Sequence, residues 1–297
     1  MKTRALLLAL LAAAIVPAIA GGAEDPVPET TIIAGPSDPL ASGSAMFTFT
    51  SSLADSEFGC ALDKQAFRSC SSPKSYSGLP DGLHTFFVFA VHDGATDPTP
   101  ASWTWAVDTT SPPPVAISKK TVSYGRFALT WSRSEDMDHV IVLRTVRAKQ
   151  AASKQVYAGP GTTYTETKFL NAQYHGYRIT SYDKAGNASR PVDVVVAASA
   201  LMLAPADGAR IHSAPVLRWR AVAKATYYNA QLWINGTKIL SIWPKSPTLK
   251  LSRTWTYKGH QYRLKPGRYT WFVWPGFGLP QKGVYGQPVG QASFVFS

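Results

Sequence analysis

The chain has 297 residues, with 22 glycines, 22 prolines, 12% aromatic and only 16% charged residues. That many aromatics with so few charges excludes intrinsic disorder, and the Gly and Pro content argues against a helical bundle or coiled coil. Thirty Lys and Arg against eighteen Asp and Glu leave a formal net charge of +12, which draws anionic partners at long range.

The first element in chain order has the layout of a secretory signal peptide, residues 1–20. Lys2 and Arg4 precede an apolar run from Ala5 to Val16, Pro17 breaks it, and Ala18-Ile19-Ala20 offers a small-residue cleavage site. A helix of that length spans about 18 Å, short of a hydrocarbon core of roughly 30 Å, so cleavage is expected rather than anchoring. No later stretch has the length and apolarity of a membrane span. The mature protein is therefore expected to be secreted, extracellular or associated with the cell surface, with no membrane span after cleavage.

Next come the only two cysteines, Cys60 and Cys70. They stand on two short apolar runs around the polar turn Asp63-Lys64-Gln65-Ala66. Pairing symmetric about Gln65 would set them directly opposite, with Cα atoms about 4.5 Å apart. In an oxidising compartment this predicts a disulfide, worth about 3 kcal/mol in the chain-entropy model. Neither CxxC spacing nor a histidine cluster supports a redox or metal pair.

Short runs alternating apolar and polar residues then continue to the end of the chain, as in Ala45-Met46-Phe47-Thr48-Phe49-Thr50 and Tyr269-Thr270-Trp271-Phe272-Val273-Trp274. With turn residues every ten or so positions, they predict an all-β chain of sandwiches. Residues 148–156 have helical composition but no apolar stripe, and read equally as a loop or a polar edge strand. Asp108 to Pro114 reads as a Pro-rich linker, stiff and extended, and a second boundary falls near 197–200. Three domains follow: 26–109, 110–199 and 200–297. They carry respectively three basic and nine acidic residues, twelve and six, and thirteen and one, the single acid of the last being Asp207.

Catalytic and metal motifs are missing from the sequence. His84, His92, His139, His175, His212 and His260 never fall at ligand spacing, and neither a nucleophile elbow nor a phosphate loop occurs. The aspartates of the first domain sit at turn-like positions. The expectation is a protein that is not an enzyme, with no catalytic residues, metal or cofactor.

Tryptophan is the sharper signal. Six of the nine lie in 200–297: Trp219, Trp233, Trp243, Trp255, Trp271 and Trp274. Strand alternation puts Trp233, Phe272 and Trp274 on an outward face if Leu232, Trp271 and Val273 point inward. Arg218, Arg220, Lys250 and Arg253 are candidate cations elsewhere on the same domain. Aromatic faces stack on sugar rings and cations hold phosphate or carboxylate. The Gly- and Pro-rich stretch 275–290 either folds back over these aromatics, the commoner fate of a large apolar patch, or leaves them open.

Three resemblances sharpen the domain reading. Residues 28–36 (PETTIIAGP), 58–93 and 99–113 resemble the immunoglobulin-like domain of bacterial, especially actinobacterial, exported proteins; the likeness implies that Cys60 and Cys70 bridge. Residues 177–196 (YRITSYDKAGNASRPVDVVV) and Trp131 in FALTWS resemble a fibronectin type III domain. That family usually ties its corner with a tyrosine where this chain has His175, next to Tyr174. The turn Asp183–Asn187 reads as a turn, with too few carboxylates nearby for a calcium loop. Residues 203–222, 225–243 and 264–278 also resemble a fibronectin-like domain, with Trp219 in the core and Leu264 and Tyr269 at the corner.

These features imply a non-enzymatic binding or adhesion module whose third domain contacts an anionic cell-wall-type polymer or glycan. Alternatives are a structural stalk or accessory protein with a surface-protein partner, or accessory domains of a separate hydrolase. Nucleic acid is disfavoured by the export signal.

Overall fold

The computed structural model describes residues 26–146 and 152–297, and every structural statement refers to these. The signal-peptide reading and the positions 147–151 lie outside them. The described chain is all-β, built of immunoglobulin- and fibronectin-like sandwiches; its one helical turn is the short 3-10 segment Pro280–Lys282. Two compact units divide it: one holds the residues up to Ser37 with Ser44–Leu79 and Leu83–Trp105, the other Asp38–Gly43, Pro80–Gly82 and Ala106–Ser297.

In the first unit, β1 (Thr30–Ala34), β2 (Ala45–Ser51) and β5 (Lys74–Tyr76) form one sheet in the order β1-β2-β5. The facing sheet contains β3 (Glu57–Leu62), β4 (Arg68–Cys70), β6 (Gly82–His92), β7 (Ala95–Thr96) and β8 (Ala101–Val107), in the order β4-β3-β6-β7 with β8 also on β6. Strand β6 buries every second residue, which is the alternation read from the sequence. Between the sheets Phe47 stacks on Phe86 at 4.2 Å between ring centroids and lies 5.1 Å from Trp105.

Cys60 and Cys70 are bonded, with Cα atoms 5.9 Å apart. Their register differs from the symmetric expectation: Cys60 opposes Arg68 and Cys70 opposes Phe58, so the two cysteines are diagonal neighbours. The pairing is centred on Lys64 rather than Gln65, and the turn begins at Asp63, which takes a left-handed conformation (φ 53°). Its carboxylate is held by the Thr85 amide at 2.9 Å and by His84 Nδ1 at 2.9 Å. A diagonal pair at 5.9 Å still lies within bridging range.

The second unit contains two sandwiches. In one, β9 (Ile117–Ser123), β10 (Arg126–Trp131) and β13 (Thr163–Glu166) make a sheet in the order β13-β10-β9. It packs on a second sheet of β11 (His139–Val146), β12 (Lys154–Gly159), β14 (His175–Tyr182) and β15 (Val192–Val196), ordered β12-β11-β14-β15. The described end of the ambiguous 148–156 stretch thus begins strand β12. Trp131, Phe127, Val142, Tyr177 and Ile179 are buried between the sheets.

His175 replaces the missing corner tyrosine. It is buried, and its Nε2–H donates to the Leu170 carbonyl oxygen at 2.9 Å, while Tyr174 stays exposed. In the turn after β14, Asp183 Oδ1 accepts the amides of Gly186 and Asn187 at 2.8 and 2.9 Å. This carboxylate closes a turn. Asn187 Nδ2 then donates to the Asp108 carbonyl at 2.7 Å, and Ser181 Oγ donates to that of Pro113 at 3.0 Å. The Pro-rich segment is thus pinned along its length by side chains of the sandwich that follows it.

The last sandwich has a three-stranded sheet, β16 (Met202–Ala204), β18 (Val216–Trp219) and β21 (Thr248–Lys250). Facing it is a five-stranded sheet of β17 (Ala209–Ile211), β19 (Tyr227–Ile234), β20 (Thr237–Ile242), β24 (Gly267–Gly276) and β25 (Gly290–Phe296), ordered β17-β25-β24-β19-β20. A hairpin of β22 (Thr254–Tyr257) and β23 (His260–Arg263) closes one side. Trp219, Trp271, Tyr269, Leu232 and Phe294 fill the core. At the corner the Tyr269 hydroxyl donates to the Lys265 carbonyl and accepts from the Lys265 amide, both at 3.0 Å.

The two sandwiches of this unit are joined side chain to backbone. Tyr124 OH donates to the Gln287 carbonyl at 2.8 Å, and Gln287 Nε2 donates to the Phe169 carbonyl at 2.8 Å. Val122 packs against both cores.

Candidate functional site

The outward aromatic face is built by the pairing of β19 with β24. Trp233 opposes Thr270, Gln231 opposes Phe272 and Asn229 opposes Trp274. The inward partners Leu232, Trp271 and Val273 are completely buried, so period-2 alternation turns Trp233, Phe272 and Trp274 to the other face. The rings form a row: Trp233 meets Phe272 edge-on at 6.1 Å, and Phe272 stacks on Trp274 at 5.8 Å. All three are half-buried, and none belongs to the core cluster.

Polar groups accompany the row. Trp233 Nε1 donates to Gln231 Oε1 at 3.3 Å, Gln231 Nε2 to Asn229 Oδ1 at 2.6 Å, and Asn229 Nδ2 to Ser241 Oγ at 2.9 Å. A chain of amides thus runs along the strand beside the rings. Asn235 and Gly236, both left-handed (φ 48° and 76°), make the two-residue turn from β19 to β20. A register shift after Leu232 then sets Lys238 opposite Trp233. The Lys238 ammonium lies 5.7 Å from the Trp233 ring centre. Arg268, on β24 in step with Thr270 and Phe272, donates to Ser293 Oγ at 3.1 Å.

The stretch 275–290 packs on the Tyr227 end of this face, where Tyr227 is buried, and the three rings of the row stay half-buried. It returns to β24 through a Gly276–Tyr285 bridge, sets Tyr285 edge-on to Tyr227 at 5.7 Å, and continues to Tyr124 and Phe169 through Gln287. Gly276 permits this turn, because a Cβ there would come within 2.2 Å of the Tyr227 ring. The six tryptophans of 200–297 therefore divide by role. Trp219 and Trp271 are core, Trp255 covers the core with its Nε1 on the Ile239 carbonyl (2.7 Å), and Trp243 is exposed with its Nε1 on Tyr285 OH (2.7 Å). Trp233 and Trp274 remain for the outer face.

The structure separates the aromatics from the candidate cations. Arg218 lies between buried Leu217 and Trp219 on β18, and Lys250 lies on β21 opposite Val216, so both point out of the three-stranded sheet on the far side of the sandwich. Arg220 is exposed just beyond β18, and Arg253 just before the β22–β23 hairpin. Asp207 Oδ1 accepts the Ser293 amide at 2.8 Å and its hydroxyl at 3.0 Å. Among the described residues no cation of 200–297 pairs with a carboxylate.

Sequence reasoning missed one polar cluster. Glu166 on β13, buried in the second sandwich, binds Arg144 of β11 and accepts Tyr177 OH at 2.8 Å and Tyr164 OH at 3.4 Å. Burial, reinforced by the Glu166 charge, pushes the Tyr164 phenol up to about 12 and raises that of Tyr177 further. These tyrosines stay protonated and donate, so the cluster ties the two sheets together.

No protein-family model matches the chain, and no curated protein matches it. Solved structures that resemble it include the fibronectin(III)-like modules of Clostridium thermocellum CbhA, at 15% identity over 57% of this chain and 93% of that one, with a TM-score of 0.40. A two-domain fibronectin type III segment of chicken tenascin matches at 13% identity over 57% and 97%, with a TM-score of 0.27. The FN1–FN3 domains of chicken CNTN1 match at 14% identity over 90% and 97%, with a TM-score of 0.25. The sheet orders and registers themselves define this chain as a protein of immunoglobulin- and fibronectin-like sandwiches. Among the described residues no helix is long and apolar enough to cross a membrane, and no cluster of three or more His, Cys, Asp or Glu has the arrangement of a metal site.

Proposed function

We propose that the protein is an exported, non-enzymatic binding module that holds a polysaccharide against the outer face of its last sandwich. The observation that carries this reading is the partly exposed row Trp233–Phe272–Trp274 with the Gln231 amide beside it. A ring face takes the apolar face of a pyranose, and a side-chain amide such as that of Gln231 takes a hydroxyl at its edge. The row lies on paired strands, so its rings are positioned before any ligand arrives, which lowers the ordering cost of binding. The first unit and the second sandwich then act as spacers. A rigid stalk with a protein partner is the second reading, favoured by the hydrogen-bonded junction at Tyr124 and Gln287.

Retention of the full chain on insoluble polysaccharides, isolated bacterial cell walls among them, tests the proposal. Trp274→Ala combined with Phe272→Ala is expected to lower retention by about tenfold or more, since each lost stacking contact is worth on the order of 1 kcal/mol. The thermal midpoint of the variant is expected to stay close to that of the parent. Unchanged retention would leave the stalk reading in its place.

A further inference from the structure

A second recognition element lies away from the aromatic row, at the base of the β22–β23 hairpin. There Arg253, Arg263, Leu264, Lys265, Pro266 and Phe296 line a cavity of about 320 Å³. Three of the six are cations, and no carboxylate side chain lines it. Leu264, just past the end of β23, is buried in the core, and its exposed neighbours Arg263 and Lys265 both line the cavity. Arg253 is brought across from them by its carbonyl, which accepts the Leu264 amide at 2.9 Å.

The backbone under these side chains is fixed. Lys265 is held at both its amide and its carbonyl by the Tyr269 hydroxyl, at 3.0 Å each. Thr254 pairs with Arg263, and the hairpin turns on left-handed Lys258 and Gly259 (φ 52° and 79°). Trp255 and Tyr262 stack and pack on the core, which fastens the hairpin to the sandwich. Three like charges gathered in one concavity repel one another, and the only acid of 200–297 is engaged at Ser293 on another strand. Such an arrangement is relieved by an anion from outside.

We propose that this cavity is an anion site that takes a phosphate group of a phosphate-bearing polymer. Two guanidinium forks and an ammonium arrive from three chain positions. That set suits a tetrahedral oxyanion, whose oxygens point in several directions, better than a planar carboxylate, which a single fork satisfies. The other unpaired cations of the sandwich draw the polymer in, and the cavity fixes one group of it. The site rests on the reading of the last sandwich as the binding module, but uses different residues from the aromatic row.

The test titrates the full chain with linear polyphosphate at fixed ionic strength and follows binding by calorimetry. Arg263→Ala with Lys265→Ala is expected to weaken binding by about tenfold or more. Lys245→Ala with Lys282→Ala, which removes the same charge from exposed positions elsewhere, is expected to change it by less than about threefold. Equal losses in the two variants would overturn the site in favour of diffuse attraction. Tighter binding of polygalacturonate than of polyphosphate would overturn the choice of phosphate, and binding of phosphatidylglycerol vesicles in place of polyphosphate would overturn the choice of a polymer. The Phe272→Ala/Trp274→Ala variant is expected to bind polyphosphate like the parent, so a failed aromatic row and a failed anion site give different results.

Discussion

Single residues carry much of the precision of this molecule, and the aspartates of the first unit show how. Asp97 is buried and accepts the Thr30 amide at 2.9 Å and the Thr99 amide at 2.8 Å. Burial acts to raise its pKa, but the hydrogen bonds from Thr30 and Thr99 outweigh it and hold the carboxyl below its usual range. A carboxylate depressed on folding stabilises the native state above its unfolded pKa, and that contribution is lost as pH falls through the folded value. Denaturation midpoints of the first unit are therefore expected to drop as pH falls below about 4, with a shallower slope in Asp97→Asn. The turn role of such aspartates was legible from their neighbours in the chain. The role of His175 was not: its position was marked by the missing tyrosine, but only the fold shows an imidazole N–H reaching Leu170 in place of a phenol. The Arg144–Glu166–Tyr177 cluster was illegible for a different reason, since its members stand far apart in sequence and meet only when the two sheets close.

Among elements, strands that bury one face and alternate strictly were the legible ones, because burial enforces alternation. Strand β6, with its buried His84, Phe86, Val88 and Ala90, and strand β24, with Tyr269, Trp271 and Val273, are the plainest cases. Register was harder to read, because it depends on how many residues a turn takes. The β3–β4 pairing centres on Lys64, beside left-handed Asp63, and this makes the cysteines diagonal rather than opposite. The bridge survives the shift and joins β4 to β3 near the short end of the sheet. Its reduction is expected to lower the stability of the first unit by about 3 kcal/mol, the loop-closure value, and to leave the second unit unchanged. Chemical denaturation with and without reductant, followed by probes in each unit, measures both effects. The outer aromatic row was legible from the period of β19 and β24, whereas the fate of 275–290 was not. Nothing local in that segment says that Gln287 will find Phe169, 118 positions away.

For the whole molecule, the closeness of the last two sandwiches is the main departure from a picture of independent beads. Gly286 is a sensitive point of that junction, since a Cβ there would lie 2.2 Å from the Tyr124 hydroxyl. Gly286→Ala is expected to break the Tyr124–Gln287 hydrogen bond and uncouple the two cores. Calorimetry is expected to show one transition for this unit in the parent and two in the variant, with the aromatic row intact in both. The stiff linker foreseen from its prolines is real in composition, but its geometry is dictated by Asn187 and Ser181, two side chains of the following sandwich.

The engagement of Asp207 with Ser293 has an electrical consequence. With its one acid hydrogen-bonded to strand β25 and, among the described residues, no cation paired to a carboxylate, the last sandwich presents a field of one sign. Dissolved salt sets how far that field extends. The reach of that field contracts from about 30 Å in dilute solution to about 8 Å at physiological ionic strength.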